Sequence, residues 1–317
     1  MGTVLVTGGT GFIGIHTARK LADAGEKVIV TYRRYFNPPH LIADLVESKI
    51  KPVRCDALDI PELIRVIHDN QVDSIVHFTH ISNYEGSIYQ AMQTNIMGLV
   101  NILEAAAFEP VKKFTYISSI GAISSPVNPT GVEEEVVSIV SPPTGVVTPS
   151  KKVGEILSTY YGDTFDIPVI IARPGGVSFG PYSESQADYT RILRPMLEGI
   201  LAGQPVNFPE IHIDSQLNLI DVRDTAAGIA VVHNAENNKF RLYCIGGDKP
   251  TTWSEIVEIL KELVPGSVIQ FGNEGQPSKA YPVPTKLRAE IEFGFKAKND
   301  FREGLQKYIE WYRAGRP

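Results

Sequence analysis

Along the first half of the chain, short β-branched runs alternate with longer stretches in which apolar residues recur every three or four positions. The short runs fall at 3–7, 28–32, 51–55, 74–78, 113–118 and 168–172, the length of strands and too brief for helices. The longer ones, at 11–24 (closed by Gly25), 60–70, 87–108 and 150–161, carry helical spacing. This succession predicts an α/β fold, a doubly wound parallel sheet with crossover helices on its faces. Prolines clustered at 126–129 and 142–149 predict one long loop of the kind that carries function.

Beyond Arg173-Pro174 the rhythm loosens. Gly175-Gly176 and Phe179-Gly180-Pro181 predict a loop leading to a helix at 191–201, then a strand at 217–222, a helix from Arg223 and a strand at 241–245. Thr252 with Glu255 makes a capping-box pattern for a helix over 256–263, and Asp300 with Glu303 does the same for one at 300–313. The expected organisation is a wound sheet over 1–172 and a smaller, interwoven lobe over 173–317 that returns some segments to the sheet.

Composition narrows the function classes. With 43% hydrophobic residues in 317 positions the chain can bury a full core, which excludes a disordered protein. Thirty Lys and Arg stand against 36 Asp and Glu, with no basic block. A nucleic-acid partner is not expected, because neutralising phosphates needs clustered cations. Cys55 and Cys244 are far apart and form no Cys-x-x-Cys pair, which points to a reducing, cytoplasmic compartment. No apolar run approaches the roughly 18 residues of a membrane span, and the first residues lack a basic start, so neither a membrane partner nor a signal peptide is expected.

The densest chemistry lies at Thr7-Gly8-Gly9-Thr10-Gly11-Phe12-Ile13-Gly14, between a predicted strand and a predicted helix. Gly8 suits the tight turn, Gly11 lets the backbone approach a pyrophosphate, and Gly14 lets the helix pack on the sheet. Phe12 and Ile13 open the helix, where free N–H groups and the positive dipole end attract phosphate. A Rossmann-type dinucleotide site is expected. NAD sites place an acid on the ribose 2′-hydroxyl at the end of the second strand; here that stretch reads Thr31-Tyr32-Arg33-Arg34. The guanidiniums of Arg33 and Arg34 suit a 2′-phosphate, so NADP(H) is expected ahead of NAD(H).

These residues resemble the extended short-chain dehydrogenase/reductase family, which holds the nucleotide-sugar epimerases and dehydratases and their dehydrogenase relatives. The likeness covers nearly the whole chain. Cys55-Asp56-Ala57-Leu58-Asp59 resembles the segment that contacts adenine, which implies Asp56 and Ala57. His77-Phe78-Thr79-His80 resembles the fourth-strand end that lines the cofactor, which implies Phe78 and Thr79. Thr94-Asn95-Ile96-Met97-Gly98 resembles the Asn-x-x-Gly helix segment, which implies Asn95, and Tyr116-Ile117-Ser118-Ser119 the strand carrying the catalytic serine. Arg173-Pro174, Asp221, Ile245-Gly246-Gly247 and Gly294-Phe295 match later landmarks. The resemblance implies an oxidoreductase or epimerase acting on a hydroxyl or carbonyl carbon of a small molecule. It also implies a homodimer formed through the helices at 87–108 and 150–161.

One position departs from the family. Its active site joins Ser, Tyr and Lys, the last two as Tyr-x-x-x-Lys on one helix. Aligned on 147–155, Lys151 takes the lysine place, which also holds the nicotinamide ribose, Ser119 the serine place and Val147 the tyrosine place. Valine has no proton to exchange. Three readings stay open: Tyr84, His80 or Tyr182 serves as acid and base; the cofactor serves non-redox or unusual chemistry; or the chain is an inactive sensor or scaffold, or one whose catalytic tyrosine was replaced. His77 and His80 lack a third ligand nearby, so hydrogen-bonded histidines are expected there and no metal. Gly176 and Leu217 stand where nucleotide-sugar relatives carry Asn and Arg. That shifts the expectation from a nucleotide sugar towards an apolar pocket lined by Phe179, Tyr182, Tyr189 and Phe208.

Overall fold

The computed structural model describes residues 2–82, 87–122, 145–182, 190–246, 249–280 and 287–316. The first part runs β1 (Thr3–Thr7), α1 (Phe12–Asp23), β2 (Lys27–Tyr32), α2 (His40–Ala43), β3 (Ile50–Arg54), α3 (Ile60–Asp69), β4 (Ser74–His77), α4 (Ile88–Met92), α5 (Gly98–Phe108), β5 (Lys113–Ile117), α6 (Val147–Phe165) and β6 (Val169–Pro174). The second runs β7 (Val177–Phe179), α7 (Thr190–Leu201), β8 (Val206–His212), β9 (Gln216–Leu217), β10 (Leu219–Asp221), α8 (Val222–Asn234) and β11 (Leu242–Ile245). It closes with β12 (Thr251–Thr252), α9 (Trp253–Leu263), β13 (Ile269–Gly272), α10 (Arg288–Phe293) and α11 (Phe301–Arg313).

Side chains of successive strand residues point to opposite faces, and that alternation divides the core. Leu5, Ile29, Ile75 and Phe114 bury one face under α3 and α5 through Leu63, Ile67, Leu99 and Leu103. Val4, Val6, Val28, Val30 and Val76 bury the other under α1 and α8 through Ile15, Leu21, Ile229 and Val232. Among the described residues, seven strands form one parallel sheet in the order β11-β6-β5-β4-β1-β2-β3. The chain winds outward both ways from β1, so the order reverses between β1 and β4, where such sheets bind ligands at their carboxyl ends. A third core, with Leu197, Trp253, Ile256 and Leu305, joins α7, α9 and α11.

Three local expectations change. The helix at 87–108 is interrupted: a π-helical turn, Gln93–Met97, separates α4 from α5. The buried Asn95 in that turn accepts from the Ile81 N–H (2.7 Å) and donates to the Ile81 carbonyl (3.0 Å), a tie that a regular helix would not aim correctly. The strand at 217–222 is divided, β9 pairing with β12 and β10 with β7. Val147 belongs to the first turn of α6 and not to a loop, while residues 126–129 lie outside the described residues. The capping box of Thr252 and Glu255 is formed. No helix among the described residues is long and apolar enough to cross a membrane.

Candidate active site

Gly8 leaves β1 with φ +66°, a conformation that L side chains rarely adopt. A Cβ on Gly8 would stand 2.8 Å from the Thr79 nitrogen, and one on Gly14 would stand 2.6 Å from the Gly8 carbonyl oxygen. The turn therefore tightens onto β4 and delivers the chain into α1, whose N-cap, Gly11, offers no side-chain cap. The leading N–H groups of α1 are left for a ligand anion. A backbone cradle without side chains at a helix start fits a dinucleotide pyrophosphate.

A cleft of about 970 Å³ opens over this turn. Gly8, Gly11, Phe12, Ile13 and Gly14 line it, with Arg33 beyond β2, Asp56 and Ala57 beyond β3, and Phe78, Thr79 and His80 beyond β4. Two expected cofactor residues stand apart from this lining. Arg34 does not line the cleft: past the end of β2 the chain bends, and of the two arginines Arg33 is the one at the cleft. Asn95 does not line it either; its amide is committed to Ile81, which does.

Ser119, Val147 and Lys151 line the same cleft. The Lys151 ammonium donates to the Ile117 carbonyl at 2.7 Å and lies 5.3 Å from the Tyr116 ring centroid. Burial pushes it down to about 7, against the opposing charge of Glu155. Glu155, one helical turn on, is itself buried and accepts from Arg173 Nε (2.6 Å), Arg173 Nη2 (2.5 Å) and Ser118 Oγ (2.5 Å). This buried pair ties α6 to β6 and to the end of β5, which fixes where Lys151 and Val147 enter the cleft. Ser119 Oγ accepts from the Gly121 N–H at 3.1 Å.

The histidines divide into wall and cleft. His77 is sealed, with Nδ1 2.7 Å from Thr7 Oγ1 and its ring against Phe114 and Tyr116. Burial and then the charge of Lys151 push it down to about 3. His80 is half-buried, and its Nε2 lies 2.8 Å from Ser150 Oγ. Ser150 Oγ in turn donates to the Val146 (2.7 Å) and Val147 (3.0 Å) carbonyls. Among the described residues, no three or more His, Cys, Asp and Glu side chains gather as a metal would need.

The aromatic residues fare unevenly. Tyr182 lines the cleft near α1, edge-on to His16 and packed against Trp311 at 5.4 Å. Phe179 and Phe208 are corrections: they pack on Phe301 and Phe271 in the lobe core, where their rings are taken out of water. Leu217 belongs to the same core, whereas Gly176 does line the cleft. Tyr84 and Tyr189 lie outside the described residues. Sequence reasoning missed Ser150 as a partner of His80, although it stood in the aligned segment. It also did not place Trp311 or Arg316 at the cleft, which they reach from the far end of the chain.

The family model described as NAD dependent epimerase/dehydratase family matches residues 4–246. The dTDP-glucose 4,6-dehydratase of Streptomyces niveus is 29% identical over 332 aligned positions, covering 99% of this chain and 93% of that protein. A putative UDP-glucose 4-epimerase of Methanocaldococcus jannaschii is 24% identical, covering 98% of each. The structure of UDP-glucose 4-epimerase from Thermus thermophilus in complex with NAD superposes with a TM-score of 0.79 at 22% identity, covering 98% of this chain and 99% of that one. The dTDP-glucose 4,6-dehydratase from Bacillus anthracis in complex with NAD gives 0.80 at 24% identity, covering 99% and 97%. At such identities the solved structures establish the fold.

Proposed function

The chain belongs to the NAD dependent epimerase/dehydratase family, and on that premise we propose that it oxidises and re-reduces a carbinol carbon of a sugar nucleotide. The observation that carries this reading is the meeting of the glycine turn, Ser119 and Lys151 along one cleft. Bound there, the dinucleotide supplies a hydride acceptor. The backbone at Gly11 and Gly14 holds its pyrophosphate, Asp56 and Ala57 its adenine side, and Lys151 its nicotinamide ribose. Ser119 hydrogen-bonds the reacting oxygen. Residues 1–172 hold the dinucleotide, and 173–317 close the substrate side. The relatives named for UDP- and dTDP-glucose support a sugar nucleotide despite Gly176 and Leu217.

Arg33, exposed at the rim of the cleft, is assigned to a 2′-phosphate, so NADP(H) is preferred and Arg34 takes no part. Exposed Ile88, Tyr89 and Met97 before α5, with Val153, Ile156 and Tyr160 on α6, form an apolar face assigned to a second copy of the chain. Cys55 and Cys244 are buried and form no disulfide, in keeping with a cytoplasmic setting.

Mixed with UDP-glucose or dTDP-glucose and an oxidised dinucleotide, the protein is expected to develop the near-ultraviolet absorbance of reduced nicotinamide. No such signal, and no altered sugar by NMR, overturns the reaction. NADPH is expected to bind about tenfold or more tighter than NADH, as charge-assisted bonds allow, and Arg33→Ala to abolish the difference.

A further inference from the structure

The proposed reaction leaves one role unfilled: a group that takes up the carbinol proton. Val147, in the first turn of α6, is aliphatic. The Ser119 hydroxyl is too weak an acid to ionise at neutral pH. Tyr116 is sealed, and burial with the nearby Glu155 charge pushes its phenol far upward. Lys151 donates to the Ile117 carbonyl. His77 is sealed behind Thr7, and Tyr182 packs against His16 and Trp311 beside the phosphate turn. His80 differs from all of these. It lines the cleft, and it is hydrogen-bonded to the same first turn of α6 that carries Val147.

Resting on the reaction proposed above, we propose that His80 is the proton-transfer residue of this site, with Ser150 holding its ring, in the role for which Val147 has no group. Ser150 Oγ faces two carbonyls, at 2.7 and 3.0 Å, which can only accept. Its one hydrogen is therefore engaged there, and it accepts from His80 Nε2–H at 2.8 Å. That leaves Nδ1 with its lone pair, and among the described residues Nδ1 takes no hydrogen bond. Burial, then the charges of Lys151 and His77, hold the ring well below the usual imidazole range. The ring is neutral at pH 7, the form that accepts a proton.

In the oxidative half, the carbinol O–H bond breaks and its proton passes to His80 Nδ1. The hydride of the same carbon leaves with its electron pair to the oxidised dinucleotide, so carbinol becomes carbonyl and imidazole becomes imidazolium. In the reductive half the hydride returns to the carbon and the proton to the oxygen. The imidazolium forms in the field of Lys151, whose ammonium burial has brought down to about 7.

The test reads both the ring and the rate in the full chain. NMR of isotope-labelled histidine nitrogens, without substrate, is expected to show His80 as the Nε2–H tautomer, a preference lost in Ser150→Ala; an Nδ1–H ring overturns the assignment. With dinucleotide and UDP-glucose or dTDP-glucose, His80→Gln is expected to slow nicotinamide reduction about 100-fold or more at unchanged dinucleotide affinity. Should His80→Gln fail to bind dinucleotide, Ser150→Ala carries the same test, with a slower rate and an altered pH profile expected. A rate in the tested variant within about threefold of the parent overturns the assignment alone. A parent protein that gives neither reduced nicotinamide nor an altered sugar overturns the reaction and this assignment with it.

Discussion

Gly154 sits within α6, where a glycine ordinarily costs about 1 kcal/mol relative to alanine. The space its Cβ would need is filled by the Tyr116 hydroxyl, which packs directly on the helix backbone. Tyr116 in turn lies under Lys151, so the close approach sets the depth of the lysine in the cleft. Gly154→Ala is therefore expected to destabilise the fold by about 1–3 kcal/mol, against its helix propensity. Urea unfolding measures this, and a variant as stable as the parent would show that the helix yields easily. Gly154 shows how little a residue type reveals alone. Its helical position could be read from spacing, but the tyrosine that requires it comes from another strand.

At the scale of elements, α8 is fastened to the sheet through one buried histidine. His233 in its last turn lies 2.8 Å from Thr115 Oγ1 and 2.9 Å from Ser74 Oγ, on β5 and β4. Burial, then the charge of Lys113, push its imidazole down to about 3. In the unfolded chain the same ring protonates near pH 6.5, so between about 6.5 and 3 the unfolded state holds more protons. Stability is full above that window and falls as pH falls through it. His77, at about 3, and His16, at about 4, add to the loss in the same direction. The urea midpoint is expected to drop between about pH 7 and pH 5, and to drop less in His233→Gln. An equal drop would mean that His233 titrates as it does in the unfolded chain. None of this was visible in the helical pattern from Arg223, which marks His233 only as a residue near a helix end.

For the whole molecule, the apolar side chains left on α4, α6 and the π-helical turn bear on assembly. Tyr89 on α4 is 69% exposed, and Tyr160 and Ile156 on α6 are 62% and 50% exposed, large apolar groups left to solvent. Sedimentation is expected to give a dimer mass for the parent and a monomer mass for Ile156→Asp. A monomeric parent would sink the second-copy assignment. The cleft is also a property of the whole chain, since Gly8 at one end and Arg316 at the other line it together.

Period-two and helical spacing, and glycines whose necessity arises within a few residues, are local quantities, so the seven-stranded sheet and the dinucleotide turn could be read from order along the chain. Ser119, Lys151 and Val147 came from the resemblance to the family and not from spacing, and the fold sets all three along one cleft. Contacts between segments far apart had no such signal. His80 meets Ser150 across 70 positions, Asn95 breaks its helix to hold Ile81, and Phe179 and Phe208 turn into the lobe core. Which of several polar or aromatic side chains faces a cleft depends on how packed layers close over one another, and that closure is fixed by the summed burial of the fold.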